Sequence, residues 1–196
     1  MTNDPYQRIT ARIPTLSSPV DLYWDRWGIP HVFGKTVADA FAGLGYAAGF
    51  ERLWQIELSR LYATGTVASV LGSRFLKQDA VMRTFNIPAS PAGVPASPGD
   101  YIVDAYLSGL NSYIDQLDEV PPEFRHAGTE PRHFSRDDVA ARYRFSCWFQ
   151  HRSWLEKILM ARLMAEHGVA RWKHHLNRFS ASDEKLFESL KEIYQT

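Results

Sequence analysis

Near the start of the chain Val20, Leu22 and Trp24 alternate with Asp21, Tyr23 and Asp25. A period of two is the mark of a strand with one buried face. Asp25-Arg26-Trp27-Gly28 reads as a turn, with Gly28 free to take positive φ. Ile29-Pro30-His31-Val32-Phe33 then returns as a second strand, so the pattern predicts a β-hairpin over 20–33. Pro30 has no N–H, and its place in that strand must be one that needs no ladder bond. Residues 1–18 are polar and are expected to form a surface arm.

After the hairpin the apolar period lengthens. Thr36-Val37-Ala38-Asp39 is a capping box, and the helix it opens is expected to run to Thr64 and stop at Gly65. Phe41, Leu44, Ala48 and Ile56 follow helical spacing, with apolar content broad enough for burial on more than one side. Gly43, Gly45 and Gly49 each cost about 1 kcal/mol against alanine inside a helix, which implies that another backbone comes close. Their spacing is wrong for a dinucleotide-binding loop. A proline-rich loop spans 86–99, and a helix over 100–117 places Tyr106, Leu110, Tyr113 and Ile114 on one side. Val120-Pro121-Pro122-Glu123-Phe124 breaks it. Ser135-Arg136-Asp137-Asp138 is a second capping box, opening a helix that reaches His167 and ends at Gly168. A last amphipathic helix is expected over 183–194, with Leu186, Leu190 and Ile193.

The pattern gives an α+β chain: a hairpin followed by a helical lobe over 36–196. A single hairpin does not make a stable sheet. The chain therefore reads as a subunit whose sheet is completed by a partner.

Composition narrows the function classes. Twenty-two basic residues balance 22 acidic ones, so there is no electrostatic footprint for nucleic acid and no basic stripe for a membrane surface. No apolar run approaches the ~18 residues of a spanning helix. Met1-Thr2-Asn3-Asp4-Pro5 has no export-signal character, which sets a cytoplasmic expectation. Cys147 is the one cysteine, which excludes an intramolecular disulfide and a cysteine zinc site. His167 and His174 lie two helical turns apart, but solvated helix histidines are the ordinary reading. There is no G-x-S-x-G elbow, no H-E-x-x-H and no P-loop. Asp137-Asp138 is explained by capping. Glu51-Arg52 and Glu57-Arg60 read as ion pairs ahead of substrate contacts. His31 reads as satisfying buried groups across the sheet ahead of catalysis.

Ordered motifs add a resemblance. Asp25-Arg26-Trp27-Gly28-Ile29-Pro30-His31-Val32 resembles the opening signature of the penicillin acylase family. Asp39 to Ala47, Arg52-Leu53-Trp54-Gln55-Ile56-Glu57-Leu58-Ser59-Arg60, Gly65, Val70-Leu71-Gly72, Asp79 with Arg83, and Ala105 to Tyr113 are similar to the runs that follow it. Pro122-Glu123-Phe124, Pro131 and Phe134 to Asp138 resemble its later "P-x-E-f … P-x-x-W-t-x-x-D" pattern. Glu51, Ser69 and Phe134 depart from the usual aspartate, glutamate and tryptophan.

The resemblance implies a precursor cut into a small α and a large β subunit, forming an obligate heterodimer. It implies a four-layer αββα N-terminal-nucleophile (Ntn) hydrolase sandwich that the hairpin helps complete. The nucleophile would be the Ser, Thr or Cys that begins the β subunit, with its own α-amino group as base through a water. This chain, from Met1 to Thr196, is then expected to carry no catalytic residue of its own. The substrate implied is a small-molecule acyl amide, with no cofactor required. By position, Cys147, Gln150 and His151 would line the acyl pocket. An amide and an imidazole at Gln150 and His151 argue against a phenylacetyl-type pocket and towards a different acyl group, and a biosynthetic deacylase would suit the absent export signal; the other reading of this segment is that Phe145, Trp148 and Phe149 are core and His151 is at the surface. Glu156 falls near a glutamate that binds structural calcium in some relatives, and its alternative is a surface carboxylate. The competing functions are an acyl-homoserine-lactone or lipopeptide acylase subunit, and a non-catalytic helical binding or scaffold protein.

Overall fold

The computed structural model of the chain describes residues 7–11, 13, 16, 19–87, 97–151 and 153–168. The chain divides into two units, Met1–Cys147 and Trp148–Thr196.

The first unit begins with an antiparallel sheet of three strands, β1 (Gln7–Ala11), β2 (Val20–Trp24) and β3 (Pro30–Phe33), in the order β1-β2-β3. Gln7 stands opposite Trp24 and Ala11 opposite Val20, while Asp21 faces Phe33 and Trp24 faces Pro30. The expected hairpin is therefore present as β2 and β3, with Val20, Leu22 and Trp24 buried and Asp21 and Tyr23 half-buried. Pro30 opens β3, which among the described residues has one strand neighbour, β2.

The surface arm needs correction. Residues 7–11 are a strand on the far side of β2, and Ile13 is 4% exposed within the core. Ile9, Ala11 and Ile13 do alternate with Arg8, Thr10 and Arg12. That alternation is short and set among polar residues, and what makes it a strand is pairing with β2, a contact made away in sequence.

Helix α1 (Val37–Thr64) starts and stops at the expected residues. Thr36 Oγ1 accepts from Asp39 N at 3.1 Å and the Asp39 carboxylate accepts from Thr36 N at 3.0 Å. Gly65, at φ 63°, ends it in the left-handed region. Within α1, Arg52 departs from helical geometry at φ −140° and ψ 24°, marking a kink. Helix α4 (Asp100–Asp115) crosses α1 with backbones nearly touching. A Cβ on Gly45 would overlap the Tyr106 carbonyl, and one on Gly109 would overlap the Ala42 carbonyl. Gly43 instead faces Val20 and Val32 of the sheet. The glycines that weaken α1 as an isolated helix thus admit the sheet on one side and α4 on another.

Two apolar clusters follow. Ile13, Val20, Leu22, Trp24, Ala42, Tyr46 and Ala47 lie between sheet and α1. Leu53, Leu107, Leu110, Phe124 and Phe134 join α1 and α4 to the later segment. Leu22 and Phe124 are fully buried, each contributing about 1.5–3 kcal/mol relative to exposure. Between α1 and α4 the chain forms α2 (Val67–Leu71), a 3₁₀ turn (Ser73–Phe75) and α3 (Leu76–Thr84). Beyond α4, α5 (Pro122–Ala127) ends at Gly128 with φ 65°. Helix α6 (Arg136–His151) opens with Ser135 and Asp138 in the expected reciprocal bonds, at 2.8 Å and 3.3 Å.

The second unit, among the described residues, holds the end of α6 and α7 (Ser153–His167). The single helix expected from Ser135 to His167 is thus two elements. The helix expected over 183–194 and residues 88–96 of the proline-rich loop lie outside the described residues. No described helix is long and apolar enough to cross a membrane.

Candidate functional site

Cys147, Gln150 and His151 lie along the end of α6. Cys147 is half-buried, and Gln150 and His151 are exposed. Of the aromatic residues around them, Phe145 and Trp148 are half-buried, Phe149 is 48% exposed and Tyr143 71%, and Ala141 is the buried residue of α6. Glu156 is exposed in the first turn of α7. Calcium takes about 6–8 oxygen ligands, and the described residues contain no group of three His, Cys, Asp or Glu able to hold a metal ion. A calcium at Glu156 would need most of its ligands from elsewhere.

Buried charge is concentrated on α1. Glu57 is 2% exposed and Arg60 7%. They form an ion pair through Arg60 Nη2, so the sequence reading of a pair holds. Arg60 Nη1 donates to the His133 carbonyl at 3.0 Å and lies 3.8 Å from Asp138 Oδ2, while the Phe134 ring sits 4.3 Å from the guanidinium carbon. Burial pushes the Glu57 carboxyl above the usual glutamate range, partly offset by the charges of Arg60 and Arg132. Asn111 of α4 holds the same segment from the other side. Its Nδ2 donates to the Phe134 carbonyl at 2.9 Å and its Oδ1 accepts from Phe134 N at 2.8 Å. Arg136 reaches back from α6 to Asp104 and Asp100 of α4.

Two further clusters are anchors of turns. Asp79 of α3 accepts from Val67 N at 3.0 Å and Ala68 N at 2.8 Å, and Arg83, one turn on, donates from Nε to the Gly65 carbonyl at 2.9 Å. Asp25 accepts from Trp27 N at 2.8 Å and Ile29 N at 2.9 Å, closing the hairpin turn. His31 Nε2 lies 3.3 Å from Asp25 Oδ2 with its side chain 51% exposed. The expectation that His31 satisfies buried groups is therefore corrected: its ring braces the turn at the surface.

These anchors coincide with the quoted motifs, and comparison with known proteins fixes what that means. The penicillin amidase family model matches residues 19–189. The chain belongs to the penicillin amidase family. Within it, penicillin G acylase of Escherichia coli is 33% identical over 143 residues, 69% of this chain and 17% of that protein. An acyl-homoserine lactone acylase, QuiP, of Pseudomonas syringae pv. tomato is 30% identical over 135 residues, 67% of this chain and 16% of that protein. The chain therefore spans about one sixth of the length of these curated relatives. The solved structure of a thermostable penicillin G acylase from Alcaligenes faecalis superposes with a TM-score of 0.61 at 24% identity, over 83% of this chain and 93% of that one. That likeness shows a shared fold.

As a penicillin amidase family chain, it uses Asp25, Asp79 and Arg83 to fix turns, and Glu57, Arg60 and Asn111 to lock α1 and α4 onto the segment leading into α6. Sequence reading missed the Asn111–Phe134 clamp and the Arg136–Asp104 contact. The one signal for the clamp was Asn111 within the Gly109-Leu110-Asn111 run.

Proposed function

We propose that this chain is the α-subunit part of an acylase that hydrolyses a small-molecule acyl amide. Its nucleophile, a Ser, Thr or Cys at the start of a β segment, attacks the amide carbonyl with its own α-amino group as base. Oxyanion donors come from that segment as well. The present chain contributes strands to a composite sandwich, and the face bearing Cys147, Gln150 and His151 contributes to the acyl pocket. The observation that carries the reading is one of coverage. The family match runs over 19–189, yet the chain accounts for 17% of the length of the Escherichia coli acylase and 93% of one chain of a solved acylase structure. That coverage supports reading the chain as one piece of a larger protein. Trp27 and Ile29 at the hairpin turn and Phe33 of β3, exposed by 72%, 53% and 61%, supply apolar surface for contact with the rest of such a protein.

The acyl-homoserine lactone acylases among the relatives favour a second substrate reading, in which the acyl chain is aliphatic and the leaving amine is a homoserine lactone. One experiment separates the readings. The chain is expressed together with whatever its gene encodes downstream, the product is sized by intact mass, and it is assayed on a penicillin, a phenylacetyl amide and an N-acyl homoserine lactone. Release of the free acid from an amide, with a second polypeptide that begins with Ser, Thr or Cys, is the expected result. Absence of any downstream segment and of any amide cleavage would leave a non-catalytic lobe.

A further inference from the structure

Between α1, α4 and the first turns of α6 lies a cleft of about 390 Å³, within the range of small-ligand sites. Ile56, Leu110 and Phe134 give it apolar walls, with Val139 at its rim, 36% exposed. Asp138 and Arg142 also line it, one turn apart on α6. An acid one turn ahead of a base on a helix stands where a favourable ion pair can close. Here the two side chains part. Asp138 turns to Ser135 and Arg60, and Arg142 to Ser146 and the Phe145 ring. Asp138 Oδ2 takes both bonds from Ser135, and its Oδ1 accepts none among the described residues. Arg142 is exposed and has no carboxylate partner among them. An unjoined acid and base thus stand beside one apolar cleft.

We propose that this cleft binds a free α-amino acid with an apolar side chain. The side chain enters the apolar part, the carboxylate meets Arg142, and the ammonium meets Asp138. An α-amino acid carries both charges on one carbon, so a single ligand bridges the pair that the helix leaves open. Each contact is a hydrogen bond between charged groups, the stronger kind. The neighbouring charges are already engaged. Arg60 also lines the cleft, but its terminal nitrogens are held by Glu57 and the His133 carbonyl. Outside the lining, Arg132 acts on Glu57, and Arg136 is taken by Asp104 and Asp100. A ligand with one charge would satisfy only one of Asp138 and Arg142. The proposal concerns binding alone and does not rest on the acylase reading.

Phenylalanine, 3-phenylpropanoate and 2-phenylethylamine share one ring and chain and differ in charge, so they test it directly. The assembled protein is titrated with each by saturation-transfer NMR. Phenylalanine is expected to bind saturably, and the two single ions at least about tenfold more weakly, which is 1.4 kcal/mol. Arg142→Gln, at an exposed position, should weaken phenylalanine and 3-phenylpropanoate about tenfold and leave 2-phenylethylamine unchanged. Val139→Trp, which plugs the mouth from a partly exposed position, should abolish binding of all three. No saturable phenylalanine binding overturns the proposal, as does a single ion that binds as tightly. Phenylalanine binding that is unchanged by Arg142→Gln, or that survives Val139→Trp, overturns it too. A protein that binds phenylalanine in this way but cleaves no acyl amide keeps the cleft and loses the acylase reading. One that cleaves an amide without binding phenylalanine loses the cleft alone.

Discussion

Helices α1 and α7 are both rich in apolar residues, yet α1 buries 12 residues and α7, among those described, buries none. The difference is not one of hydrophobicity alone. Five of the buried positions of α1 are Gly43, Gly45, Gly49, Glu57 and Arg60, residues that hydrophobic content alone would leave out of a core. They are inside because neighbours meet them: a strand face, the α4 backbone, and the His133–Phe134 segment. Helix α7 leaves Ile158 and Leu159 exposed by 54% and 57%. Burial in this chain follows the fitted partner, and where the described residues supply none, apolar side chains stay at the surface.

The sharpest test of that contrast is the ion pair in α1. Arg60→Met would leave Glu57 buried without its cation, and the expected loss is about 3–5 kcal/mol at neutral pH. The loss should shrink on acidification. Burial already raises the Glu57 carboxyl above its unfolded value, so the folded state binds the proton more readily. Stability then falls as pH rises from the ordinary glutamate value of about 4.3 through the folded value. Without Arg60 that window widens upward. The double variant Glu57→Leu, Arg60→Met should recover most of the loss, because matched apolar groups replace buried ion pairs at little cost. Urea unfolding at acid and neutral pH measures all three. A single variant that matches wild type at neutral pH would show that the pair is not what holds this helix in.

Next in size is the helix crossing. Gly45→Ala drives a methyl into the Tyr106 carbonyl, a backbone group that cannot turn aside. Overpacking of that kind costs about 1–3 kcal/mol, and the upper end is expected because α4 must move as a body. The readout is a lower urea midpoint with an unchanged slope. Alanine tolerated to within about 0.5 kcal/mol would break the account of why these glycines are here.

These two regions also differ in how far they could be read from sequence. Thr36, Asp39 and Gly65 bounded α1 because capping is local, made by residues three or four apart. Gly45 announced a close approach but not its partner, Tyr106, which lies far along the chain. Strand β1 was hidden for the same reason, since Gln7 to Ala11 acquire their strand character from β2. The Asn111 clamp joins residues 23 apart in sequence, and no periodicity reports it. Cys147, Gln150 and His151 were placed by resemblance, on the part of α6 where the described residues bury no side chain. A pocket there depends on groups that the described residues do not include. The family motifs were legible as motifs, while their physical work, the bracing of turns by Asp25, Asp79 and Arg83, became visible only in three dimensions.

A smaller effect is expected at the hairpin turn. Hydrogen bonds from the backbone of Ile29, followed by those from His31 and Trp27, hold the Asp25 carboxyl below the usual aspartate range despite some desolvation. A folded value below the unfolded one, about 3.9, means that the folded state binds fewer protons. The stabilisation is therefore complete above the unfolded value and is lost as pH falls through it towards the folded value. Asp25→Asn should flatten the acid limb of the thermal-midpoint profile slightly and leave its neutral part little changed. An acid limb identical to wild type would remove Asp25 from the set of anchors.

The smallest change in stability should come from α7, and that is what makes it informative beside α1. Ile158→Ser with Leu159→Ser removes two large apolar side chains, a change that would cost several kcal/mol inside a core. Exposed as they are, they should shift the unfolding free energy of this chain by no more than about 0.5 kcal/mol. If a β segment covers this face, the same variant should weaken co-purification with that segment while leaving the chain's own unfolding unchanged. A large fall in the stability of the chain itself would mean that Ile158 and Leu159 already have cover within it, and that exposure on α7 is no guide to where the rest of the protein sits.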